Sequence, residues 1–301
     1  MERHILYIQG DLKKQQFEID EVEFNELEKA KEFLHFVVTH EESYDILVSN
    51  FMEFEQEILQ LTLQNMLYSE YSTESFYELR MRLNKRLINL LTSVKLYQDL
   101  GVHQIPKSIY ERAKKQNEIK RFFSKEYDNN IHYKFMEELR RYTQHAGLPI
   151  HLTSFNTRNI GEEDKFRHEY SINFSSYSER LKKDKMFNHS KFPELEDEID
   201  LKSAVRHYIE SISLVHISIR ELFKELMIDS RETIKSAHAK FHEKYKCNTD
   251  YLRVVCVEEE LTKKDIAILL DWDDVRIKLQ QKNRKLIKLS KGYITNISKE
   301  E

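Results

Sequence analysis

The sequence predicts a mainly α protein, a bundle of long helices decorated by a small β-sheet. Three observations carry that expectation. Five Gly and three Pro in 301 residues leave little material for loops. One third of the residues are charged and 40% are hydrophobic, a balance that suits amphipathic helices. Apolar residues also recur at three- and four-residue intervals over long stretches free of Gly and Pro.

Taken in order, Ile5 to Ile8 is short, apolar and compatible with a strand, and ends at the turn signal Gly10-Asp11. Phe17 to Phe24 alternates loosely, as a second strand would. Leu27, Ala30, Phe33 and Leu34 then fall at helical spacing. Tyr44 to Tyr71 is a strong helix, with Val48, Met52, Leu59, Met66 and Leu67 on or near one stripe. Ser72 or Thr73 is placed to cap a second strong helix. That helix, Ser75 to Leu100, is built on Phe76, Leu79, Leu83, Leu87, Leu90, Leu91, Val94 and Tyr97, and Gly101 is expected to end it. The short turn between the two implies an antiparallel hairpin.

Ile109 to Phe123 is helical in pattern and basic, and Asp128-Asn129-Asn130 reads as a break and cap before the next helix. His151 to Phe155 and Tyr170 to Phe174 read as strands joined by a polar connection, 156–164. Lys182 to Glu198 is charged and poorly periodic, as a surface excursion would be. Leu201 to Met227 is a third long helix, and Asp229-Ser230 is expected to cap a shorter one reaching Tyr245. Tyr251 to Val257 has the β-branched character of a strand. Thr262 to Leu270 reads as helical with Asp265 in a capping position, and Val275 to Ile294 as a basic helix. A single domain over 1–301 results, with a core bundle of about 44–149 and 201–245. The β-containing segments are 1–24, 151–175 and 251–257, gathered into one sheet, and the basic helical end is 275–294.

Composition narrows the function. A net charge of −4 gives no global nucleic-acid signature, so any basic surface is local. Cys247 and Cys256 make no disulfide framework. No leader and no apolar run of about 20 residues is evident, which leads to the expectation of a soluble cytoplasmic protein without a membrane partner. The scarcity of Gly nearly excludes phosphate-cradling loops, and there is no Gly-flanked nucleophilic Ser.

The stretch Ile131 to Pro149 draws the most interest. Ile131, Phe135, Leu139 and Tyr142 mark one helical face, and Gly147 and Pro149 punctuate its end. His145 falls in the last turn, with Arg140 and Arg141 about one turn earlier. At about 100° per residue, Arg141 and His145 share a face and Arg140 lies to the side within reach. The residues alone fit two readings. One is a solvated basic helix end. The other is a site in which an imidazole takes and gives a proton while a guanidinium grips a phosphate and its developing charge. That set suffices for metal-free RNA cleavage, because the ribose 2′-hydroxyl is a built-in nucleophile. As a bare pattern, Arg-x4-His is weak. Arg231 and His238, with six residues between them, make a second match.

The RRYTQHAGLPI stretch, late in a set of long helices, resembles the signature of HEPN-family proteins: Arg, four to six residues, then His. The resemblance covers about 44–149 and takes in 201–227 as a further bundle member. It implies a HEPN-like helical bundle and a metal-independent endoribonuclease, often a toxin or an abortive-infection or antiviral-defence effector, with a composite site formed in a homodimer or higher homo-oligomer. Arg140 and His145 match the hallmark positions. Arg141 stands where the family often has Asn or Asp, which leaves open which Arg acts. The implied catalytic set is Arg140, Arg141 and His145, with RNA as substrate, no cofactor and no metal, and room for a regulatory or antitoxin partner. The alternative is a non-catalytic module of the same fold that binds RNA or a partner protein.

Further candidates surround this set. Gln144 lies beside the hallmark residues. Arg276, Lys282, Arg284, Lys285 and Lys288, in a stretch also rich in Lys278 and Lys291, make a basic C-terminal segment. That segment reads either as a clamp on RNA phosphates or as a solvated face balanced by nearby acids. His238 and His242, one turn apart, lack a third ligand and read as a satisfied or solvent-facing pair rather than a metal site. The acidic cluster Asp271 to Asp274 is weak as a cation site without partner carboxylates.

Overall fold

A computed structural model describes residues 2–10, 15–69, 71–160 and 167–295. The chain is mainly α with a small β accessory. In chain order the elements are β1 (Glu2–Ile8), β2 (Gln16–Ile19), α1 (Glu21–Tyr68), α2 (Thr73–His103), α3 (Arg112–Asn129), α4 (Ile131–His145), β3 (Leu152–Ile160), β4 (Arg167–Tyr177), α5 (Ser178–Lys182), β5 (Glu198–Asp200), α6 (Leu201–Tyr245), β6 (Leu252–Glu258), β7 (Leu261–Ala267) and α7 (Asp271–Lys282). They group into two compact units. The first comprises Met1–Asp45, Asp99–Lys120 and Ser218–Arg284, and the second comprises Ile46–Gln98, Arg121–Ile217 and Lys285–Glu301.

The first unit holds a four-stranded antiparallel sheet in the order β2-β1-β6-β7. Leu6, Leu252 and Val254 alternate toward its buried face. Its helical core gathers Phe33, Phe36 and Phe223, with ring centroids 5.5 Å apart for Phe33 and Phe223. α7 is tied down by charge. Asp273, buried, accepts from both Arg231 and Arg276, and these guanidinium groups hold its carboxyl below the usual range against the opposing effect of burial.

The second unit holds the three-stranded sheet β3-β4-β5, also antiparallel. In its part of α2 the apolar residues Leu79, Leu83, Leu87, Leu90, Val94 and Tyr97 are all buried at four- and three-residue steps, the continuous core stripe the sequence showed. Ser72 caps α2 reciprocally with Ser75, through two backbone-to-hydroxyl bonds of 3.0 Å.

Several sequence expectations need correction. The strand expected over 17–24 stops at Ile19, and α1 runs unbroken from Glu21, where the sequence placed the start of the strong helix at Tyr44. α2 passes through Gly101 to His103. That Gly serves close packing, since a Cβ there would lie 3.0 Å from the His40 ring. Asp229-Ser230 does not start a new helix. Ser230 is itself buried on the stripe Phe223, Met227, Ser230, Ile234, Ala237, Phe241, whose steps of four and three carry α6 through. The segment 156–160 belongs to β3, not to a loop, and the rest of that expected connection, 161–164, lies outside the described residues. Phe187 and Phe192 are buried, so the charged stretch 182–198 is anchored rather than a free excursion.

Thr262 to Leu270 is a strand over Leu261–Ala267, not a helix. Its two-residue turn, Glu259-Glu260, has positive φ at both positions (49° and 69°), as the favoured hairpin turn demands. Asp265 does not cap a helix but accepts from Tyr7 and Arg253. The basic end is α-helical over Asp271–Lys282, with one further 3-10 turn at Leu289–Lys291, and the strands form two sheets rather than one.

Candidate functional site

α4 lies wholly in the second unit, and its sequence fixes both ends. The Asn130 side chain accepts from the backbone N–H groups of His132 (3.0 Å) and Tyr133 (3.2 Å), the expected cap. Its amide also donates to Ser211 Oγ at 2.9 Å. At the other end the N–H groups of Ala146 and Gly147 both return to the Tyr142 carbonyl. A Cβ at Gly147 would lie 2.7 Å from the Tyr142 hydroxyl, so a larger residue there would displace the Tyr142 ring. The chain beyond is clamped by Asn84, fully buried, which accepts from Ile150 N–H at 3.0 Å and donates to its carbonyl at 3.3 Å.

Tyr133, Phe135, Met136, Leu139 and Tyr142 form the buried face. Beside it run two acid–base pairs at i, i+3, and they differ in burial. Arg140 donates to Glu137 at 2.9 Å, with side chains 14% and 12% exposed. Glu137 also accepts from Gln98 at 2.7 Å and from the Tyr208 hydroxyl. Burial disfavours the Arg140 guanidinium, but the Glu137 charge and hydrogen bond outweigh it and raise its pKa. Burial likewise drives the Tyr133 and Tyr208 hydroxyls well above their ordinary range. Arg140 is therefore committed to packing, apart from a 3.3 Å bond to Gln144.

Arg141 is 49% exposed and donates to Glu138 at 3.0 Å. Glu138 is fully buried and also accepts from Lys191 (2.6 Å) and Tyr127 (2.9 Å). Burial pushes its carboxyl up, yet Lys191, Tyr127 and the Arg141 charge hold it below the ordinary value. His145 and Gln144 face water. Among the described residues none hydrogen-bonds the His145 ring. Arg141 and His145, four residues apart, thus share an exposed helix face, and the buried Glu138 holds the guanidinium of the first.

Just past this end the structure adds groups that sequence reasoning missed. His151 accepts from Tyr177 N–H at 3.0 Å. Burial, then the charge of Arg180 and that of Arg80, lower its pKa to about 4. Cations thus gather near the helix end, although Arg180 and Arg80 lie 39 and 61 positions from Arg141 in sequence. Only tertiary structure unites them. At the start of α4, His132 stacks on His207 with ring centroids 4.3 Å apart and planes 3° from parallel. No local pattern announced that pair either.

The basic C-terminal residues are scattered. In the first unit, Arg276 is buried and bound to Asp273, Lys282 pairs with Asp45 at 2.7 Å, and Arg284 is exposed. The burial of Arg276 removes it from any phosphate-contacting set. In the second unit, Lys285 and Lys288 are exposed. Among the described residues no hydrogen bond or ion pair joins either of them to α4. The other Arg-His match is structural. Arg231 is held by Asp273 and Asp274, and His238 bonds Thr249 Oγ1 at 2.9 Å and the Ile268 carbonyl at 2.8 Å. His242 bonds the Cys247 carbonyl.

Among the described residues no helix is long and apolar enough to cross a membrane. The fold and site thus define a mainly α protein with an exposed Arg-His pair at the end of a pinned helix. The chain matches no protein-family model, no curated protein and no solved structure.

Proposed function

We propose that the exposed end of α4 is the active edge of a metal-independent, HEPN-like endoribonuclease that works as a homodimer. His145 is the general acid/base, Arg141 holds the scissile phosphate, and Arg140 positions the helix from its buried pair with Glu137. The single observation that supports this most is the joint exposure of Arg141 and His145 on one helix face, with Glu138 buried beneath. The bond to Glu138 orients the Arg141 guanidinium, and a fixed orientation is what a phosphate contact needs. The 2′-hydroxyl of RNA attacks the adjacent phosphorus as His145 takes its proton, the bond from phosphorus to the 5′-oxygen breaks, that oxygen leaves with a proton from the imidazole of the second copy, and the Arg141 guanidinium offsets the growing negative charge. The product carries a 2′,3′-cyclic phosphate or its hydrolysis product. The site is completed by the same helix end of a second copy, which brings a second His and Arg to the phosphate. A toxin or antiviral-defence role in the cytoplasm, with a regulatory partner, fits such an activity.

One observation favours the second reading, a non-catalytic HEPN-like module that binds RNA or a partner protein. The Arg at the hallmark position, Arg140, is spent on Glu137. Expression of wild type beside His145→Ala separates the two. Growth arrest and cleaved RNA from wild type alone support the nuclease. Equal growth with intact RNA supports the module.

A further inference from the structure

The strand pair at the centre of the first unit's sheet brings together three side chains with metal-binding donors. β1 and β6 are antiparallel neighbours, and their register sets His4 directly opposite Cys256 and Glu2 opposite Glu258. Residues two apart on a strand share a face, so Glu2, His4 and Cys256 project from the same side. A carboxylate oxygen, an imidazole nitrogen and the thiol sulfur of these three lie within 4.8 Å of one another.

Their surroundings fit a ligand site better than ordinary core. His4 is 8% exposed, with its ring against Phe24 at 4.6 Å between centroids. Among the described residues none hydrogen-bonds its ring nitrogens. Its ring nitrogens are therefore free to coordinate an ion. Cys256 is 6% exposed and burial pushes its thiol up, but a bound divalent cation deprotonates a thiol outright. Glu2 is exposed and able to rotate inward. Glu258, on the same face, is already paired with Lys263 at 2.9 Å.

We propose that Glu2, His4 and Cys256 bind one zinc-type divalent metal ion, with water in the fourth position. One sulfur, one nitrogen and one oxygen donor suit a borderline-soft ion and disfavour magnesium and calcium. Donor atoms around a tetrahedral zinc lie roughly 3.3–3.8 Å apart, so the present cluster closes with a small turn of Glu2. The ion staples β1 to β6, joining two segments 252 residues apart in sequence. This site is independent of the α4 reading.

Cobalt(II) alone, titrated into the full-length reduced protein, is the probe. The expected result is a one-to-one complex with a thiolate-to-cobalt charge-transfer band and the strong visible bands of four-coordination, both displaced by zinc. Cys256→Ser abolishes the charge-transfer band, His4→Ala weakens binding about 100-fold or more, and Cys247→Ser leaves both unchanged. Glu2→Gln, at an exposed position that does not threaten folding, weakens binding about tenfold. No thiolate band in the wild type overturns the proposal. So does a band that survives Cys256→Ser, or one that disappears with Cys247→Ser.

Discussion

Arg140→Ala and Arg141→Ala remove the same group from adjacent positions on one helix, yet the structure assigns them opposite consequences. Arg140 and Glu137 are 14% and 12% exposed. Removing one member of a buried pair costs about 3–5 kcal/mol in general. Here Glu137 keeps two donors, Gln98 and Tyr208, so the expected loss is about 2–3 kcal/mol. Arg141 is 49% exposed. Its partner Glu138 keeps Lys191 and Tyr127, so truncation costs roughly 0–1 kcal/mol, as for a surface ion pair.

A gap of about 2 kcal/mol lowers the melting temperature of Arg140→Ala by about 4 °C relative to Arg141→Ala in a chain of this size. The cleavage assay ranks them the other way. Loss of a transition-state cation lowers the rate about 100- to 1,000-fold, so Arg141→Ala is nearly inactive while well folded. Arg140→Ala, assayed well below its melting point, keeps more activity. The measurements are paired thermal melts and single-turnover cleavage of RNA. Equal destabilisation by the two substitutions would refute the burial argument. An active Arg141→Ala beside an inactive but folded Arg140→Ala would return the phosphate contact to Arg140.

Other perturbations test the neighbourhood. Asn84→Ala leaves the backbone N–H and carbonyl of Ile150 unpartnered in the core. It is expected to cost about 2–4 kcal/mol, read by chemical denaturation, and a loss below about 1 kcal/mol would show that water replaces the clamp. His151 gives the protein an acid sensitivity. The unfolded ring gains its proton as pH falls through about 6.5, while the folded ring resists until about 4, so stability is full above the first value and declines between the two. A drop of that size corresponds to on the order of 3 kcal/mol, reduced to about 1–2 kcal/mol by solvent screening at a half-buried ring. His151→Gln should flatten that part of the stability–pH curve. Glu138 acts at lower pH, because its depressed carboxyl contributes stability that is lost only as pH falls through its folded value. Glu138→Gln should therefore weaken the protein near neutrality and blunt the final acid decline.

The long helices were legible because their signal is local. The stripe in α2 and the Asn130 cap needed only neighbours in sequence, and both stand as read. Helix boundaries were less legible because Ser, Asp and Gly carry two meanings. Ser230 has the chemistry of a cap and Gly101 that of a stop, yet one sits on a buried stripe and the other admits the His40 ring. The β6–β7 hairpin was hidden by its turn, where Glu259 and Glu260 adopt backbone angles that Asn-Gly would have advertised.

At α4 the sequence found the helix, its end, and the shared face of Arg141 and His145. It had no means of telling the two Arg residues apart, because what distinguishes them is their own burial, 14% exposed for Arg140 against 49% for Arg141. Glu137 and Glu138 are adjacent acids with the same spacing to their Arg residues. The distinction comes from Gln98 and Tyr208 on one side and from Tyr127 and Lys191 on the other. The hallmark spacing selects Arg140, whereas burial selects Arg141. The site thus turns on whether a guanidinium already held by a carboxylate can also serve a phosphate, and the paired Ala variants measure that.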